Sequence, residues 1–411
     1  MAEPQPFAPV AMHERIAAMD VLRGFALLGI LLMNIEAMAG PLLIAQTGLD
    51  PALTGADRIA DAFVYLFVQG KFYPLFSLLF GMGFAVMLMR ADAAQQPFFM
   101  VYLCRVLALL AIGLAHALLV WSGDILVTYA LVAFVLLLFF RSTPAAYLAA
   151  GGILAILFAE MLLMTLGALG QLAMQTPDMQ EAVAGQRAEI AATLEAQRLA
   201  GTSESWSAAI AQRAEDLSNS LTSLMLWGWQ ILGLFLLGAW FVRSGAIARP
   251  EQFPRFYARL RGVALAAGML MVGLSFLIEP TFDLVSLDLR SASALSLFNL
   301  GGTLMALGYL AWVVRGLQGG TPARLLSKLA PAGRMALTNY LLQSLVCTWI
   351  FSGYGLGYFE RLPRAWQIPF VLAFFTLQVL ASQAWLSRFR MGPMEWLWRA
   401  ATYLRLPPMR R

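Results

Sequence analysis

The sequence predicts an all-α, polytopic membrane helix bundle of about ten transmembrane helices, with both termini cytoplasmic and one long helical periplasmic loop. Three observations predict it. Of the 411 residues, 60% are hydrophobic and only 12% are charged, a balance that soluble domains of this size rarely approach. The apolar residues gather in runs of about 20, the length that crosses a hydrocarbon core of roughly 30 Å. Arg and Lys collect on alternate connections, as they do when positively charged loops stay in the cytoplasm.

Taken in order, a cytoplasmic segment (1–20) leads into a first membrane half (21–170) with runs at 21–43, 62–89, 103–121, 125–140 and 145–169. A periplasmic loop follows at 171–220. Its Asp178, Glu181, Glu189, Glu195, Glu204, Glu215 and Asp216 stand against three arginines, and its Ala, Glu, Gln and Arg content favours helix. It reads either as a solvated helical hairpin or as a cap over a substrate. The second membrane half (221–387) has runs at 221–242, 263–279, 294–314, 335–352 and 366–387, and a basic tail (388–411) closes the chain. With the N-terminus inside, the inner segments hold 20 basic residues and the outer ones 7. That bias accounts for the net charge of +5 without a nucleic-acid partner. "AMAG" at 37–40 looks like a signal-peptidase site, but Arg23 and Glu36 within the run argue for a retained anchor.

Several chemistries are excluded. Cys104 and Cys347 lie in apolar runs, which suggests neither a disulfide framework nor a thiolate metal site. No phosphate-binding loop, dinucleotide fingerprint or His-rich metal site is present, so ATP-driven pumping and redox chemistry have no support. No permanently bound cofactor and no metal are expected.

Polar residues in membrane runs are costly and mark function by default. In "AAMDVLRGFALLGILLMNIE", Asp20, Arg23 and Asn34 fall within about 40° of one line on a helix. Arg23 can be satisfied by Asp20 one turn back, whereas Asn34 needs a partner from another helix. The second run, "VQGKFYPLFSLLFGMGFAVMLMR", carries Pro74, which can break or kink it, and Lys71, which either snorkels or faces a polar cavity. The third places Arg105 inside and His116 towards the outer end; "SGD" then turns the chain, and Asp124 can cap the fourth helix. With Trp121, Asp124 and Tyr129 close behind it, and Lys71 and Glu36 at similar depth, His116 is a candidate general base oriented by a carboxylate. Asn339 and Gln343 in "RMALTNYLLQSL" share a helix face. They line a passage or bond across helices.

"DVLRGFALLGILLMNI", "KFYPLFSLLFGMGFA", "HALLVWSGDILVTYAL" and "GRMALTNYLLQSL" resemble, in order, the signature segments of the YeiB family of bacterial inner-membrane proteins. The later part of the chain resembles that family's domain of unknown function 418. The family is in turn distantly similar to transmembrane acyltransferases such as heparan-α-glucosaminide N-acetyltransferase, whose start the R-x-x-x-x-D-x-x-R-G pattern from Arg15 to Gly24 resembles. The resemblance implies transfer of an acyl group, acetyl in the first instance, from cytoplasmic acyl-CoA to a hydroxyl or amine on a periplasmic glycan, lipid or peptide, with histidine as base.

On that expectation His116, Asp124 and Lys71 are the catalytic candidates, and Arg23, Asn34, Arg105, Trp121, Tyr129, Asn339 and Gln343 the substrate-binding ones. Acyl transfer from a thioester needs a base, donors for the tetrahedral oxyanion and cations for the CoA phosphates. The set contains all three. Secondary transport of a small molecule or lipid, and a non-enzymatic membrane scaffold, are the competing classes. The bilayer and acyl-CoA are the expected partners, with self-association through glycine-rich faces left open.

Overall fold

A computed structural model describes residues 16–95, 98–139, 143–283, 285 and 287–411. Arg15 and Arg141 lie outside them. The helices are α1 (Ala17–Ala39), α2 (Gly55–Phe67), α3 (Phe72–Ala93), α4 (Phe98–Leu119), α5 (Leu126–Phe139), α6 (Ala145–Ala173), α7 (Pro177–Thr202) and α8 (Trp206–Arg243). They continue as α9 (Pro254–Arg259), α10 (Leu265–Ile278), α11 (Leu289–Gly316), α12 (Gly320–Ser327), α13 (Ala330–Arg334), α14 (Ala336–Phe351), α15 (Arg364–Arg388) and α16 (Pro393–Tyr403). No strand forms among the described residues. Eight helical segments are long and apolar enough to cross a membrane, and the shorter apolar helices Leu126–Leu137 and Ala336–Phe351 accompany them. Each of the ten apolar runs therefore has its helix.

Three elements depart from the expected boundaries. The run at 62–89 is two helices, because the chain turns between Phe67 and Phe72 through Gly70 at φ +75°, a left-handed conformation that favours glycine. The break thus precedes Pro74, which sits in the first turn of α3, where a missing N–H costs nothing. The run at 221–242 is the second part of α8, whose 38 residues start at Trp206 and extend about 57 Å. Ser205 caps that start, its hydroxyl accepting from the Ala208 N–H at 3.3 Å. The run at 263–279 begins with α9 and a π-helical turn over Leu260–Ala264 before α10.

α1 is the centre of the molecule. Leu22, Leu27, Leu31 and Ile35 are fully buried, and the helix packs against α3, α11, α13, α14 and α15. A segment so enclosed is an integral part of the fold. α6 packs on α8, α8 on α3, and α10 on α11, while Ile153, Leu154, Leu157, Leu270 and Leu277 point outward as lipid-facing side chains do.

The connections sort onto two faces. On one, α7 and α8 meet three other connections: Gln197 accepts from the Leu43 N–H at 3.1 Å, Ser122 donates to Asp216 at 2.8 Å, and Arg198 pairs with Glu360 at 3.2 Å. On the other, Trp398 of α16 donates to the Arg105 carbonyl at 2.9 Å, and Arg243 donates to the Thr143 carbonyl at 2.6 Å. The C-terminus and the start of α1 lie on this second face, which carries the basic-rich segments.

Candidate functional site

α4 and α5 form a hairpin, and its turn assembles the site. At Gly113 a Cβ would meet the Val127 nitrogen and Leu126, so glycine there lets α4 approach the first turn of α5. One turn later His116 meets Asp124: Nδ1 and Oδ1 are 2.8 Å apart, with the side chains 2% and 0% exposed. The other carboxylate oxygen accepts the Val127 N–H at 3.0 Å, so Asp124 both caps α5 and orients the imidazole. Tyr340 of α14 completes the group. Its hydroxyl donates to Asp124 Oδ1 at 3.3 Å and accepts from the Ile125 N–H at 3.4 Å, and its ring centroid is 5.4 Å from that of His116.

A carboxylate accepts only, so against it Nδ1 is the donor, and in the neutral imidazole Nε2 then keeps a lone pair. Nε2 is buried and has no hydrogen-bond partner among the described residues. An imidazole held at one nitrogen and unengaged at the other is the arrangement of a general base.

A cavity of about 290 Å³ approaches this group from the face that carries the C-terminus, near the lower end of small-molecule sites, about 300–1,000 Å³. Arg23, Arg90, Arg105, Arg334 and Arg399 line it together with Asp20 and Glu395; Phe76, Leu79, Phe80 and Phe84 form apolar wall, and Ile125, Tyr129 and Tyr340 are also in the lining. His116 and Asp124 stand one residue back, behind Ile125 and Tyr340. From Arg105 to His116 is about 16 Å along α4. Arg105 lies over the Trp398 ring, 3.6 Å from its centroid, a contact that holds the guanidinium by cation–π attraction. Glu395 accepts from the Leu337 and Thr338 N–H groups at 2.7 and 3.1 Å and from the Thr338 hydroxyl at 2.6 Å. Burial pushes its carboxyl above the ordinary value, and those hydrogen bonds oppose the shift.

The opposite face closes over the turn. Arg213 donates to the Leu119 carbonyl at 3.0 Å and to the Tyr354 hydroxyl at 2.6 Å, and Asp216 accepts from Ser122, Gln197 and Gln212. The long acidic loop is therefore a docked hairpin.

The structure brings only part of the expected set together. Arg23, Arg105 and Tyr129 line the cavity; Arg23 also pairs with Asp20 at 3.2 Å, and Tyr129 bonds the Ser77 hydroxyl at 2.7 Å. Trp121 lies at the turn, its indole donating to the Ala37 carbonyl at 3.3 Å. Lys71 is elsewhere. Fully buried, it donates to the Tyr65 carbonyl at 2.8 Å and stands 4.3 Å from the Phe298 ring centroid, satisfied by a carbonyl and aromatic faces instead of meeting His116. Glu36 pairs with Arg364 at 2.8 Å, which also holds Asp61 at 3.0 Å. Asn339 donates to the Ala332 carbonyl and the Ser382 hydroxyl, and Gln343 donates to Gln378 at 2.9 Å. Both amides are thus committed to helix packing, because buried amides take the nearest partners. Asn34 is half-buried and outside the cavity lining.

Tyr340, Arg334, Arg399 and Glu395 escape sequence reasoning. A tyrosine between two amides on an apolar helix reads as packing, and arginines in loops read as topology signals. Only the folded chain gathers them.

Residues 241–405 match the family described as "Protein of unknown function (DUF418)". Over its whole length the chain is similar to "Uncharacterized protein YxaH" of Bacillus subtilis, 33% identical over 98% of this chain and 97% of that one. It is likewise similar to "Uncharacterized protein YeiB" of Escherichia coli, 33% identical over 95% and 96%. A third relative, an uncharacterized 39.9 kDa protein from the amylase 3′ region of Bacillus acidopullulyticus, is 29% identical over 98% and 97%. No solved structure matches the chain.

Proposed function

Since the chain belongs to the YeiB/DUF418 family of multi-pass membrane proteins, we propose that it works as a membrane acyltransferase, moving an acyl group from cytoplasmic acyl-CoA to a hydroxyl or amine acceptor at the periplasmic face of a bacterial inner membrane. The observation that carries this reading is His116, bound to Asp124 through Nδ1 and unpartnered at buried Nε2.

The chemistry follows from that geometry. Nε2 takes the acceptor's proton as its oxygen or nitrogen attacks the thioester carbonyl, and Asp124 stabilises the resulting imidazolium. The tetrahedral oxyanion collapses, the carbon–sulfur bond breaks, and the thiolate recovers the proton from Nε2. The arginines lining the cavity suit the phosphates of CoA, and the Phe76–Phe84 wall suits an acyl chain. Tyr340 both lines the cavity and contacts the His116–Asp124 pair, and so links the one to the other.

Transport is less well supported. A through-path would require the 119–125 turn to part from α8, against the Ser122–Asp216 and Arg213–Leu119 bonds.

The test is release of free thiol from acyl-CoA by purified protein with a supplied acceptor. His116→Ala is expected to lower turnover by about 10²- to 10⁴-fold, the contribution of general base catalysis, while acyl-CoA affinity by calorimetry stays near wild type. Full turnover in His116→Ala, or no acyl-CoA binding by folded protein at millimolar concentration, overturns the proposal.

A further inference from the structure

Midway along α6, Glu160 lies outside the cavity lining and is not used by the chemistry above. It is 7% exposed, and its Oε2 has no hydrogen-bond partner among the described residues. Ser296 and Asn299 of α11 are within side-chain reach of this carboxylate, and the Ser296 hydroxyl is buried and makes no hydrogen bond of ordinary geometry among the described residues. Ser296, Asn299 and Thr303 are three and four residues apart, so they share one face of α11. α8 contributes Gln230, which donates to the Thr303 hydroxyl at 3.4 Å and accepts from the Tyr73 hydroxyl of α3 at 2.8 Å. Tyr73 is the titratable side chain that reaches this cluster from α3, through Gln230. No arginine or lysine among the described residues acts on Glu160.

An ionised carboxylate without a cation at this depth is costly, and the buried Ser296 hydroxyl beside it adds to the cost. One ligand can relieve both. It must be cationic to match Glu160. Glu160 offers one negative charge, which a monovalent ion balances. It must favour hard oxygen donors, because carboxylate, hydroxyl and amide oxygens are what the cluster offers. We propose that Glu160, with Ser296 and Asn299, forms a buried sodium-binding site in the seam between α6 and α11. An ion held there ties the two helices together, so its binding free energy adds to the stability of the bundle.

The experiment is thermal unfolding of the full chain in detergent at constant ionic strength and pH 8, with sodium chloride exchanged for potassium or N-methylglucamine chloride. Sodium is expected to raise Tm saturably and more than potassium does. Glu160→Gln is expected to abolish the sodium response, and Ser296→Ala to move its half-saturation up about 10-fold, one lost ligand interaction of about 1.4 kcal/mol. Should Glu160→Gln not fold, the Ser296→Ala displacement and radioactive sodium binding to the wild type provide the readout. Equal Tm in all three salts, an unchanged sodium response in Glu160→Gln, or stabilisation by lowered pH alone, which would mark a proton as the occupant, overturns the proposal. None of these outcomes depends on acyl transfer.

Discussion

Asp124 does two jobs with two oxygens, and substitution separates them. Asp124→Asn keeps a side-chain oxygen to accept the Val127 N–H but removes the charge that favours imidazolium. Asp124→Ala removes both and leaves buried donors unpaired, at about 1–3 kcal/mol for each unsatisfied group. We therefore expect Asp124→Asn to unfold within about 1 kcal/mol of wild type yet turn over more slowly, and Asp124→Ala to lose both activity and about 1–3 kcal/mol of stability. Denaturant or thermal unfolding beside thiol release measures the pair. If Asp124→Asn retains full turnover, the carboxylate is a helix cap and nothing more. The eight-residue spacing made this pair legible in the sequence, because a polar turn after an apolar helix returns the next cap towards the last turn. Tyr340 was not legible, since α14 reaches the turn only through tertiary packing.

Most of the membrane helices follow the apolar runs closely, apart from the break between α2 and α3 and the early starts of α8 and α10, and α16 corresponds to no run. The first part of α8 reads as solvated loop because Arg213 and Asp216 are charged; they are buried because each finds partners in the 119–122 turn and in Tyr354 and Gln197. α16 reads as a basic tail, yet it packs on α4 and α14 and covers the cavity with Trp398 and Glu395. Glu395 gives this lid a pH dependence. Burial raises its carboxyl above the usual 4.5, so the folded state holds the proton more tightly than the unfolded chain does, and stability falls as pH rises from 4.5 through the raised value. Glu395→Gln is expected to flatten that slope, read as Tm against pH from about 4 to 8 and keyed to the carboxylate range. Parallel curves for the two proteins would show that Glu395 titrates alike folded and unfolded.

Over the whole molecule, the alternation of basic and acidic connections anticipated which loops share a face. Among the described residues, the segments richer in Arg and Lys and the acidic connections lie on two opposite faces. What the sequence could not reveal is that Arg23, Arg90, Arg105, Arg334 and Arg399, from α1, α3, α4, α13 and α16, converge on one cavity with His116 behind its Ile125 and Tyr340. On the function we propose, the donor enters from the face bearing the C-terminus and the acceptor meets it from the other. Sealed membrane vesicles of both orientations, given membrane-impermeant acyl-CoA outside and acceptor on both sides, test the claim most directly. The expected result is thiol release from inside-out vesicles only, lost in His116→Ala. Equal release from both orientations, or undiminished release in His116→Ala, would contradict it.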